Sequence, residues 1–510
     1  MYGCQKLTLQ SLQVVSEHAD TSVRLVSKMT SRHQTLGAWN RAKRWLFHEI
    51  LLHHSSVLNA FKVHHSACVA FATNPLVPDN GAWIGVSIDW TTWASVNDYV
   101  QQAEFQPTSY TIFISVPLDV QDQGLLDNVV PQIAALGGMA VIVAQPTYGL
   151  SEITTAAAET FAKIIEGYEE QGASMLIEFG HEMNGNWYAW GQQPAEYIKA
   201  FQTLSTAIAK NCCRSFMLWS VNTGGGYPYP NGTDIAKYVS ASDFKLLDTN
   251  GDGSITTADD PYAPYYPGDD YVDWVGMSLY HFGTTFPYDQ NVLPEAQKFT
   301  STIFGTFKTS YVDYTSLPNF YEVYSAPNGT HKKPMAIPET GSLWDLNHLT
   351  GAAPTELQVK TAWWQQVFNI GGDTTNALDL SVHMPNLRLV AWFDQKKVES
   401  SADNDMIDWR YSASSVIHDA FVSYIGTKDS NGNKYWNTLP QFISHIGKVT
   451  TTVTSSSGAT ETCLSSISSS TANETYADPL ANIGASGATS TAVMSVSGLI
   501  GAVLLCMLLL

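Results

Sequence analysis

Short apolar runs rich in β-branched residues alternate with longer stretches of helical period through the middle of the chain. Eight of these runs have the length of buried strands: 83–88, 110–116, 139–144, 175–179, 216–221, 272–279, 334–338 and 387–393. Helical period occupies segments between them, as in 155–171, 194–211 and 356–370. Alternating strands and helices predict a parallel sheet, and eight such units predict a closed (β/α)8 barrel, the TIM barrel of the α/β class.

The pattern divides the 510-residue chain into four segments, of which 78–447 holds the predicted barrel. We expect disordered segments on both sides of it. Residues 1–77 show no clear period, and positions 1–67 carry eight Lys or Arg against three Asp or Glu, unlike the acidic remainder. This N-terminal segment is compatible with a poorly ordered arm or with a wrongly joined exon, and 1–15 lacks the apolar run of a secretory signal.

The last two segments have the composition of a stalk and of an anchor signal. Residues 448–491 are predicted to be a solvated stalk, because 15 of 22 consecutive residues within them are Ser or Thr. Small residues and then an uncharged apolar tail at 492–510 match the signal for a glycosylphosphatidylinositol (GPI) anchor, with Asn482 or Gly484 as the attachment site. A tail-anchor helix is the alternative, but basic residues usually flank one and none follows Lys448. We therefore predict a lipid anchor in the membrane and a location at the cell surface or in the cell wall.

The formal net charge of −20 argues against partners that need a basic face. Nucleic acids and anionic membrane surfaces attract Lys and Arg, so neither is expected as a partner. An acidic chain suits an extracellular protein with a neutral substrate, and we expect a monomer. The sequons at Asn231, Asn328 and Asn473 agree with secretion. One or two disulfides are then expected among four cysteines whose spacing fits no metal site: Cys68, Cys212, Cys213 and Cys463.

The fourth apolar run continues into a segment dense in polar and aromatic side chains. Within ten residues lie one Glu, one His, two Asn and three Trp or Tyr, namely His181, Glu182, Asn184, Asn186, Trp187, Tyr188 and Trp190. Core-packing stretches do not hold charged and amide groups at this density, and the alternative is a polar loop with incidental Trp. The end of a barrel strand is where this fold keeps its active sites. Aromatic faces beside amide and carboxylate groups suit a sugar, whose C–H faces stack and whose hydroxyls need polar partners.

The seventh run ends in a second carboxylate, Glu339. A carboxylate directly after a buried strand is costly unless it is paired or faces a cleft. Because strands four and seven of a barrel open onto one face, Glu182 and Glu339 are expected to share a pocket although they lie far apart in sequence. Two carboxyl groups across one pocket are the minimal set for glycoside hydrolysis: one protonates the leaving oxygen, and the other attacks the sugar or activates water.

Four segments carry a family resemblance. The segment 181–191, HEMNGNWYAWG, closely resembles the acid/base segment of glycoside hydrolase family 26, and 265–280 looks like the sixth-strand segment of that family. The shorter segments 333–341 and 390–393 resemble its nucleophile strand and its eighth strand. The resemblance runs over roughly 80–420, and the first two segments are its specific part.

The resemblance implies a retaining glycanase that cleaves internal β-linkages and needs no cofactor for catalysis. By this likeness, Glu182 is the general acid/base and Glu339 is the nucleophile. Tyr280 is implied to hold the carboxylate of the nucleophile, and His181 to contact the sugar at the cleaved bond. Retention implies that the two carboxyl groups lie about 5–5.5 Å apart.

Three tryptophans are expected to bind substrate. The resemblance implies that Trp392 is the stacking platform beneath the sugar at the cleaved bond. Trp187 and Trp190 are expected contacts of neighbouring subsites, and core packing is the alternative for each of them.

One position departs from the family's pattern. An Arg usually sits four residues before the acid/base, and this chain has Glu178 there. A third carboxylate beside the pair raises pKa values by like-charge repulsion, unless a basic residue pairs with it.

The substrate is open between β-mannan and mixed-linkage β-1,3-1,4-glucan, with xylan as a rarer choice. Two other functions use the same barrel. One is a non-hydrolytic cell-wall protein that binds carbohydrate, and the other is a transglycosylase, in which a sugar replaces water at the covalent intermediate. Because both carboxylates are present, an enzyme is favoured over a binding protein.

The segment 248–259 has the pattern of a calcium-binding loop, with Gly253 at position 6 and oxygen-bearing side chains around it. The candidate ligands are Asp248, Asn250, Asp252, Ser254, Thr256 and Asp259. Position 12 is Asp rather than Glu, which shortens the reach of the last ligand. An acidic turn without metal is the alternative. A structural Ca²⁺ here would rigidify an insertion that leads into the sixth strand.

Overall fold

The computed structural model describes residue 74 and residues 76–446, except for 94, 230–234, 350–353, 372–376 and 427–433. The chain divides into two compact units after Pro78, and the fold and site described below belong to the second unit. Most of the N-terminal segment, the stalk, the anchor signal and the sequons at Asn231 and Asn473 lie outside the described residues. The predictions for them stay predictions.

Eight parallel strands close into a barrel. They are β1 Ala82–Ile88, β2 Ser109–Ser115, β3 Met139–Gln145, β4 Ser174–Phe179, β5 Ser215–Asn222, β6 Trp274–Ser278, β7 Met335–Thr340 and β8 Leu387–Asp394. Each strand pairs with the next, and β8 pairs with β1 from Leu389 opposite Trp83 to Asp394 opposite Ile88, which closes the barrel. The predicted (β/α)8 fold is confirmed, and each predicted strand matches an observed one to within two residues.

Helices alternate with the strands around the outside. Those with both ends inside the described residues are α1 Val96–Ala103, α2 Val120–Leu136, α3 Thr155–Glu169, α4 Pro194–Asn211, α5 Ala241–Leu247, α6 Lys298–Ile303, α7 Glu356–Val367, α8 Leu380–His383 and α9 Ser415–Ile425. The predicted bounds of α4 are confirmed. Both α3 and α7 end earlier than predicted, because Gly172 and Gly371 turn the chain with positive φ just beyond them. None of these helices is long and apolar enough to cross a membrane.

A hairpin that the sequence pattern does not predict follows the last barrel strand. It consists of β9 Lys396–Glu399 and β10 Asp405–Asp408, which pair antiparallel. Backbone hydrogen bonds from Leu346 to Met406 and from Asp408 to Trp344 join it to the segment after β7. A last short strand, β11 Trp436–Asn437, pairs with β1. The hairpin therefore lies at the end of the barrel where β7 and β8 open.

The barrel strands are buried on both faces, and the two faces differ. Outward side chains such as Ile84, Ile112 and Ile142 form one large apolar core with the helices. The inward face carries small or polar residues at several positions, including Gly85, Ser109, Thr111, Ser220, Gly276 and Ser278. A barrel interior usually holds large branched side chains. This interior is therefore more polar than usual at those positions.

The described cysteines differ in state. Cys213 is disulfide-bonded, in line with the expected disulfides. Cys212 is a buried free thiol that donates a hydrogen bond to the carbonyl of Ala162. Burial raises the pKa of the Cys212 thiol, so it is not a reactive thiolate.

Candidate active site

Glu182 lies in a tight turn at the carboxyl end of β4. The turn uses positive φ at both Gly180 and Glu182, a conformation that costs a non-glycine residue about 1–3 kcal/mol. The amide of Glu182 donates to the carbonyl of Ser220, and the Trp190 indole N–H donates to the carbonyl of His181, each bond holding the turn in place. The turn thus aims the Glu182 side chain at the mouth of the barrel, where it is 8% exposed.

Two donors hold the Glu182 carboxylate. The side-chain amide of Asn222, at the end of β5, donates to Oε1 over 2.8 Å. The indole N–H of Trp187 donates to Oε2 over 2.9 Å. Burial raises the pKa of Glu182, and these hydrogen bonds act against that increase. Glu182 is therefore a buried carboxyl group that two hydrogen bonds hold in place.

Glu339 occupies the matching place on β7. Its pairing with β8 is irregular between Ile337 and Thr340, which lets the chain reorient near the end of the strand. The hydroxyl of Tyr280, two residues past β6, donates to Glu339 Oε2 over 2.6 Å. The other oxygen, Oε1, is buried and has no hydrogen-bond partner. Glu339 is 8% exposed, so the structure brings Glu182, Glu339 and Tyr280 to one mouth, as the sequence predicts.

The two carboxyl groups interact electrostatically. Burial and the nearby charge of Glu182 raise the pKa of Glu339 to about 7. Glu399 of the hairpin acts in the same direction, and the Tyr280 hydrogen bond and the charge of Lys397 act in the opposite one. Lys397 also lowers the pKa of Glu182. The charge of Glu182 thus opposes the ionisation of Glu339, so the titration of one carboxyl group depends on the state of the other.

A third carboxyl group, Glu178, lies on β4 inside the barrel. It is completely buried, and neither of its oxygens has a hydrogen-bond partner. No Lys, Arg or His of the described residues forms an ion pair with it. Burial raises the pKa of Glu178 well above its usual value, and the charges of Glu339 and Glu182 add to that. The structure therefore supports like-charge repulsion of Glu178 by Glu339 and Glu182, rather than an ion pair with a basic residue.

His181 lies beside Glu182 but turns into the protein. Its Nε2 lies 3.1 Å from the hydroxyl of Tyr188, and its side chain is 1% exposed. Burial lowers the pKa of His181 to about 3, so the imidazole is neutral. Its Nδ1 is buried without a partner. The imidazole is therefore buried beside the site, and its contact with the sugar stays a prediction.

Trp187 and Trp190 have different surroundings although they are three residues apart. Trp187 is 45% exposed and donates to Glu182, so its ring face is available at the mouth. Trp190 is 2% exposed and stacks on Tyr188 with ring centroids 4.4 Å apart. Of the two alternatives for Trp190, the structure supports core packing, and the expectation of a direct subsite contact is corrected accordingly.

Trp392 is not placed where the resemblance implies. It is fully buried and points away from the mouth into the helix layer, against Trp364, Phe368 and Phe421. The expectation that it forms the platform beneath the sugar is therefore wrong for this chain. The physical reason is strand alternation, because successive residues of β8 point to opposite faces. The next residue, Phe393, is the one that faces Tyr280, at a centroid distance of 5.9 Å.

The predicted calcium loop lies between α5 and β6. Asp248 accepts hydrogen bonds from the amides of Asp252 and Gly253, and Asp259 accepts from those of Thr249 and Thr256. Backbone amides of the loop also donate to the side chains of Asn250 and Asp252. Ser254 and Thr256 are the remaining candidate ligands. The donor set suits Ca²⁺ chemically. In the described residues, however, the acidic members do not converge: the one group of His, Cys, Asp or Glu within 4.8 Å is Asp345, His348 and Asp405.

Asn222 and Lys397 of the site are absent from the sequence-based set, which names Tyr188 only as part of the polar and aromatic segment after β4. Asn222 holds Glu182, and Tyr188 contacts His181. Lys397 lowers the pKa of both carboxyl groups. A signal for Asn222 exists, because it is a polar residue that ends a buried strand, like Glu339. Lys397 has no such signal, since its place depends on how the hairpin folds back.

No protein-family model matches the chain, and no curated protein matches it. Among solved structures, an endo-β-1,4-mannanase of Cellulomonas fimi is similar at 12% identity, with 71% of this chain and 72% of that chain covered and a TM-score of 0.39. The catalytic domain of a family 26 endo-β-1,4-mannanase from Bacillus sp. JAMB-750 is 14% identical, with 74% and 90% covered and a TM-score of 0.37. A mannanase of Bacillus subtilis is 16% identical, with 63% and 83% covered and a TM-score of 0.32. Similarity at this level does not define an activity, which must come from the residues of the site.

Proposed function

We propose that this protein is a retaining glycoside hydrolase that cleaves internal β-linkages of a polysaccharide. The observation that carries the proposal is the placement of Glu182 and Glu339 at the carboxyl ends of β4 and β7. Both are largely buried, both are held by hydrogen bonds, and the charge of Glu182 opposes the ionisation of Glu339. Two such carboxyl groups are the chemical requirement for glycoside hydrolysis.

The proposed reaction has two steps. In the first, Glu339 attacks the anomeric carbon as Glu182 gives its proton to the departing glycosidic oxygen, which leaves a covalent glycosyl ester on Glu339. In the second, Glu182 takes a proton from water, the water oxygen bonds to the anomeric carbon, and the ester breaks. Tyr280 orients the attacking carboxylate, and Asn222 with Trp187 orient the acid. Both displacements invert the anomeric centre, so the product retains the starting configuration.

The substrate proposal is β-mannan or mixed-linkage β-1,3-1,4-glucan. The exposed face of Trp187 beside Glu182 and the neutral His181 suit an uncharged sugar chain. The test is release of reducing ends by the full chain from galactomannan, barley β-glucan and xylan. Activity on one polymer names the substrate.

The matched variants for this test are Glu339→Ala and Glu322→Gln. Glu322 is an exposed carboxylate on the short helical segment Tyr321–Ser325, away from the mouth. Loss of activity in the first variant but not in the second supports Glu339 as the nucleophile. Equal activity in the wild type and in Glu339→Ala contradicts the proposal.

Two alternatives use the same surface. A transglycosylase would transfer the glycosyl group to an added labelled oligosaccharide and release few reducing ends. A cell-wall binding protein would retain the polymer in affinity electrophoresis without changing its chain length. The hydrogen bonds that hold both carboxyl groups favour catalysis, since a binding surface has no need of two buried acids with raised pKa values.

We also propose that the loop 248–259 binds Ca²⁺ as a structural ion. Loop amides donate hydrogen bonds to the carboxylates of Asp248 and Asp252, which supports the proposal. Binding requires the buried Asp259 carboxylate to turn toward these two residues. Thermal unfolding in CaCl₂ and in chelator tests it. We expect a higher midpoint with Ca²⁺ in the wild type and no such increase in Asp252→Ala.

For localisation we propose secretion and a GPI anchor, attached at Asn482 or Gly484. The Ser/Thr-rich stalk and the uncharged apolar tail support this. Treatment of expressing cells with a phosphatidylinositol-specific phospholipase should release the protein. Retention on the membrane would favour the tail-anchor alternative.

A further inference from the structure

The barrel interior beneath the two catalytic carboxyl groups contains buried polar groups without partners. The hydroxyls of Ser109, Thr111, Ser220 and Ser278 are buried and form no hydrogen bond. Gly276 leaves room for one of them, because a Cβ at that position would lie 3.0 Å from Ser220 Oγ. Buried hydroxyls in native proteins are nearly always hydrogen-bonded, to protein or to internal water. This interior can therefore hold an internal hydrogen-bond network.

Glu178 is the acidic group of this interior. It lies on β4, opposite Val143 of β3 and Leu218 of β5, and it is completely buried. Neither of its oxygens accepts a hydrogen bond of good geometry, and the Ser220 hydroxyl is the one neighbour whose hydrogen-bonding tendency lowers the pKa of Glu178. The backbone carbonyl of Ser220 in turn accepts the amide of Glu182. Ser220 thus lies between Glu178 and the acid/base residue.

Glu339 has one carboxylate oxygen without a hydrogen-bond donor. Its Oε2 receives the Tyr280 hydroxyl, but its Oε1 is buried without a donor. A carboxylate that is to be the nucleophile needs donors on its oxygens, since burial otherwise favours its protonated form. A protonated carboxyl group is a hydrogen-bond donor. A protonated Glu178 therefore has the donor that Glu339 Oε1 lacks, and Glu339 Oε1 is an acceptor for it.

We propose that Glu178 is a positioning residue of the proposed glycosidase: it stays protonated through the reaction and, through one buried water, supplies the hydrogen bond that Glu339 Oε1 lacks. The inference rests on the proposed function. The proton remains on Glu178 throughout, so it takes part in no bond-making step. Its effect is to keep Glu339 ionised beside Glu182.

The charged and titratable groups that face this region support the assignment of the proton to Glu178. Around Glu339 they are Glu182, Tyr280, Lys397 and Glu399, and around Glu178 they are Glu339, Glu182, Tyr188 and Tyr197. The cation among them, Lys397, lies on the hairpin at the mouth and acts on Glu182 and Glu339. In the described part of the chain, Glu178 is faced by acids and phenols, and its burial is complete. These surroundings favour the protonated form of Glu178.

Two substitutions of Glu178 test whether it acts as a hydrogen-bond donor, as a charge or only by its volume. Glu178→Gln keeps the size and the N–H donor but cannot ionise, and Glu178→Leu keeps a similar volume without a donor. The readout is kcat and KM between pH 4 and 9 on the polymer that the wild type cleaves. We expect the leucine variant to move the acid limb of kcat/KM up by about one pH unit, which is about tenfold in kcat/KM below that limb, with KM unchanged. The glutamine variant should restore the wild-type limb.

Other patterns overturn the inference. A downward shift of the acid limb in Glu178→Gln would mean that Glu178 is charged in the wild type and repels Glu339. Wild-type profiles in both variants would mean that Glu178 only fills space.

A measurement that needs no substrate keeps this inference separate from the proposed function. The infrared carbonyl bands of protonated carboxyl groups at neutral pH should include one in the wild type and in Glu339→Gln that is missing from Glu178→Gln, and a band of Glu182 or Glu339 that persists in Glu178→Gln does not count. Inactivity of the wild type on every glycan with this band present would refute the proposed function alone. Absence of the band from the wild type would refute the inference, whether or not the leucine variant folds.

Discussion

The hydroxyl of Tyr280 donates a hydrogen bond of 2.6 Å to Oε2 of Glu339. Tyr280 follows β6 and Glu339 lies in β7, so the pairing of these two neighbouring strands brings together residues that no local pattern connects. Hydrogen bonding to a carboxylate favours its ionised form. The tyrosine therefore counteracts the burial that raises the pKa of Glu339 to about 7.

Removal of this hydroxyl should shift the pH dependence of activity. In Tyr280→Phe the pKa of Glu339 rises further, so the acid limb of kcat/KM moves to higher pH. A hydrogen bond to a charged group contributes about 1.5–3 kcal/mol, which corresponds to about 1–2 pH units. The measurement is kcat/KM against pH, with Tyr148→Phe as the control because Tyr148 is exposed. An unchanged limb in Tyr280→Phe would show that the bond does not stabilise the charged form.

Neutralisation of Glu339 should stabilise the fold above neutral pH. The pKa of Glu339 is raised from 4.5 to about 7 in the folded protein, so the unfolded chain loses this proton at lower pH than the folded one. Stability contributed by the group is then lost as pH rises between these values, and the wild type becomes less stable than Glu339→Gln.

The expected gain in the free energy of unfolding for Glu339→Gln is on the order of 1–3 kcal/mol above pH 7 and close to zero below pH 4.5. Urea unfolding at about pH 4 and about pH 8 measures it, with Glu322→Gln as the reference. A gain of the same size at both pH values would mean that packing rather than ionisation is responsible.

Loss of the Trp187 indole N–H should shift the alkaline limb of the pH profile of activity. Trp187→Phe keeps an aromatic ring but removes the donor to Glu182 Oε2. The pKa of Glu182 then rises further, so the acid keeps its proton to higher pH and the alkaline limb of kcat moves upward. A hydrogen bond to a charged group contributes about 1.5–3 kcal/mol, which corresponds to about 1–2 pH units. A shift of the acid limb instead would assign the general acid to the other carboxyl group.

Trp392 and Trp187 should respond oppositely to truncation. Trp392→Ala removes a fully buried ring between the barrel and the helices, which should cost about 3–5 kcal/mol of stability. Trp187→Ala should cost less than about 1 kcal/mol, because nearly half of that side chain is exposed, and should instead raise KM. Unfolding curves beside steady-state kinetics distinguish the two. A stable Trp392→Ala with an increased KM would restore Trp392 as a sugar platform.

Much of the fold was predictable because its signals are local. A strand buried on both faces is a short continuous apolar run, and the helices between strands show their period directly. Glu339 was predictable as a site residue for the same reason, since a carboxylate at the end of a buried strand needs a special environment. Asn222 obeys the same rule and could have been found with it.

Side-chain direction was less predictable. Trp392 and Phe393 are both apolar and both buried, so hydrophobicity does not show which of them faces the barrel interior. The phase of the alternation is set by the pairing of β8 with β1, where Trp392 lies opposite Val86. The position of Lys397 depends in the same way on the pairing of β9 with β10.

The sequence by itself determined the eight strands, the barrel class and the two glutamates at strand ends, because these follow from local period and from the cost of placing charge beside buried strands. Only the tertiary structure decided which tryptophans reach the mouth, which donors hold Glu182 and Glu339, and that Glu178 forms no ion pair with a cation of the described residues. Those properties depend on which strands lie side by side and on complete burial: β5 beside β4 brings Asn222 to Glu182, and β6 beside β7 brings Tyr280 to Glu339.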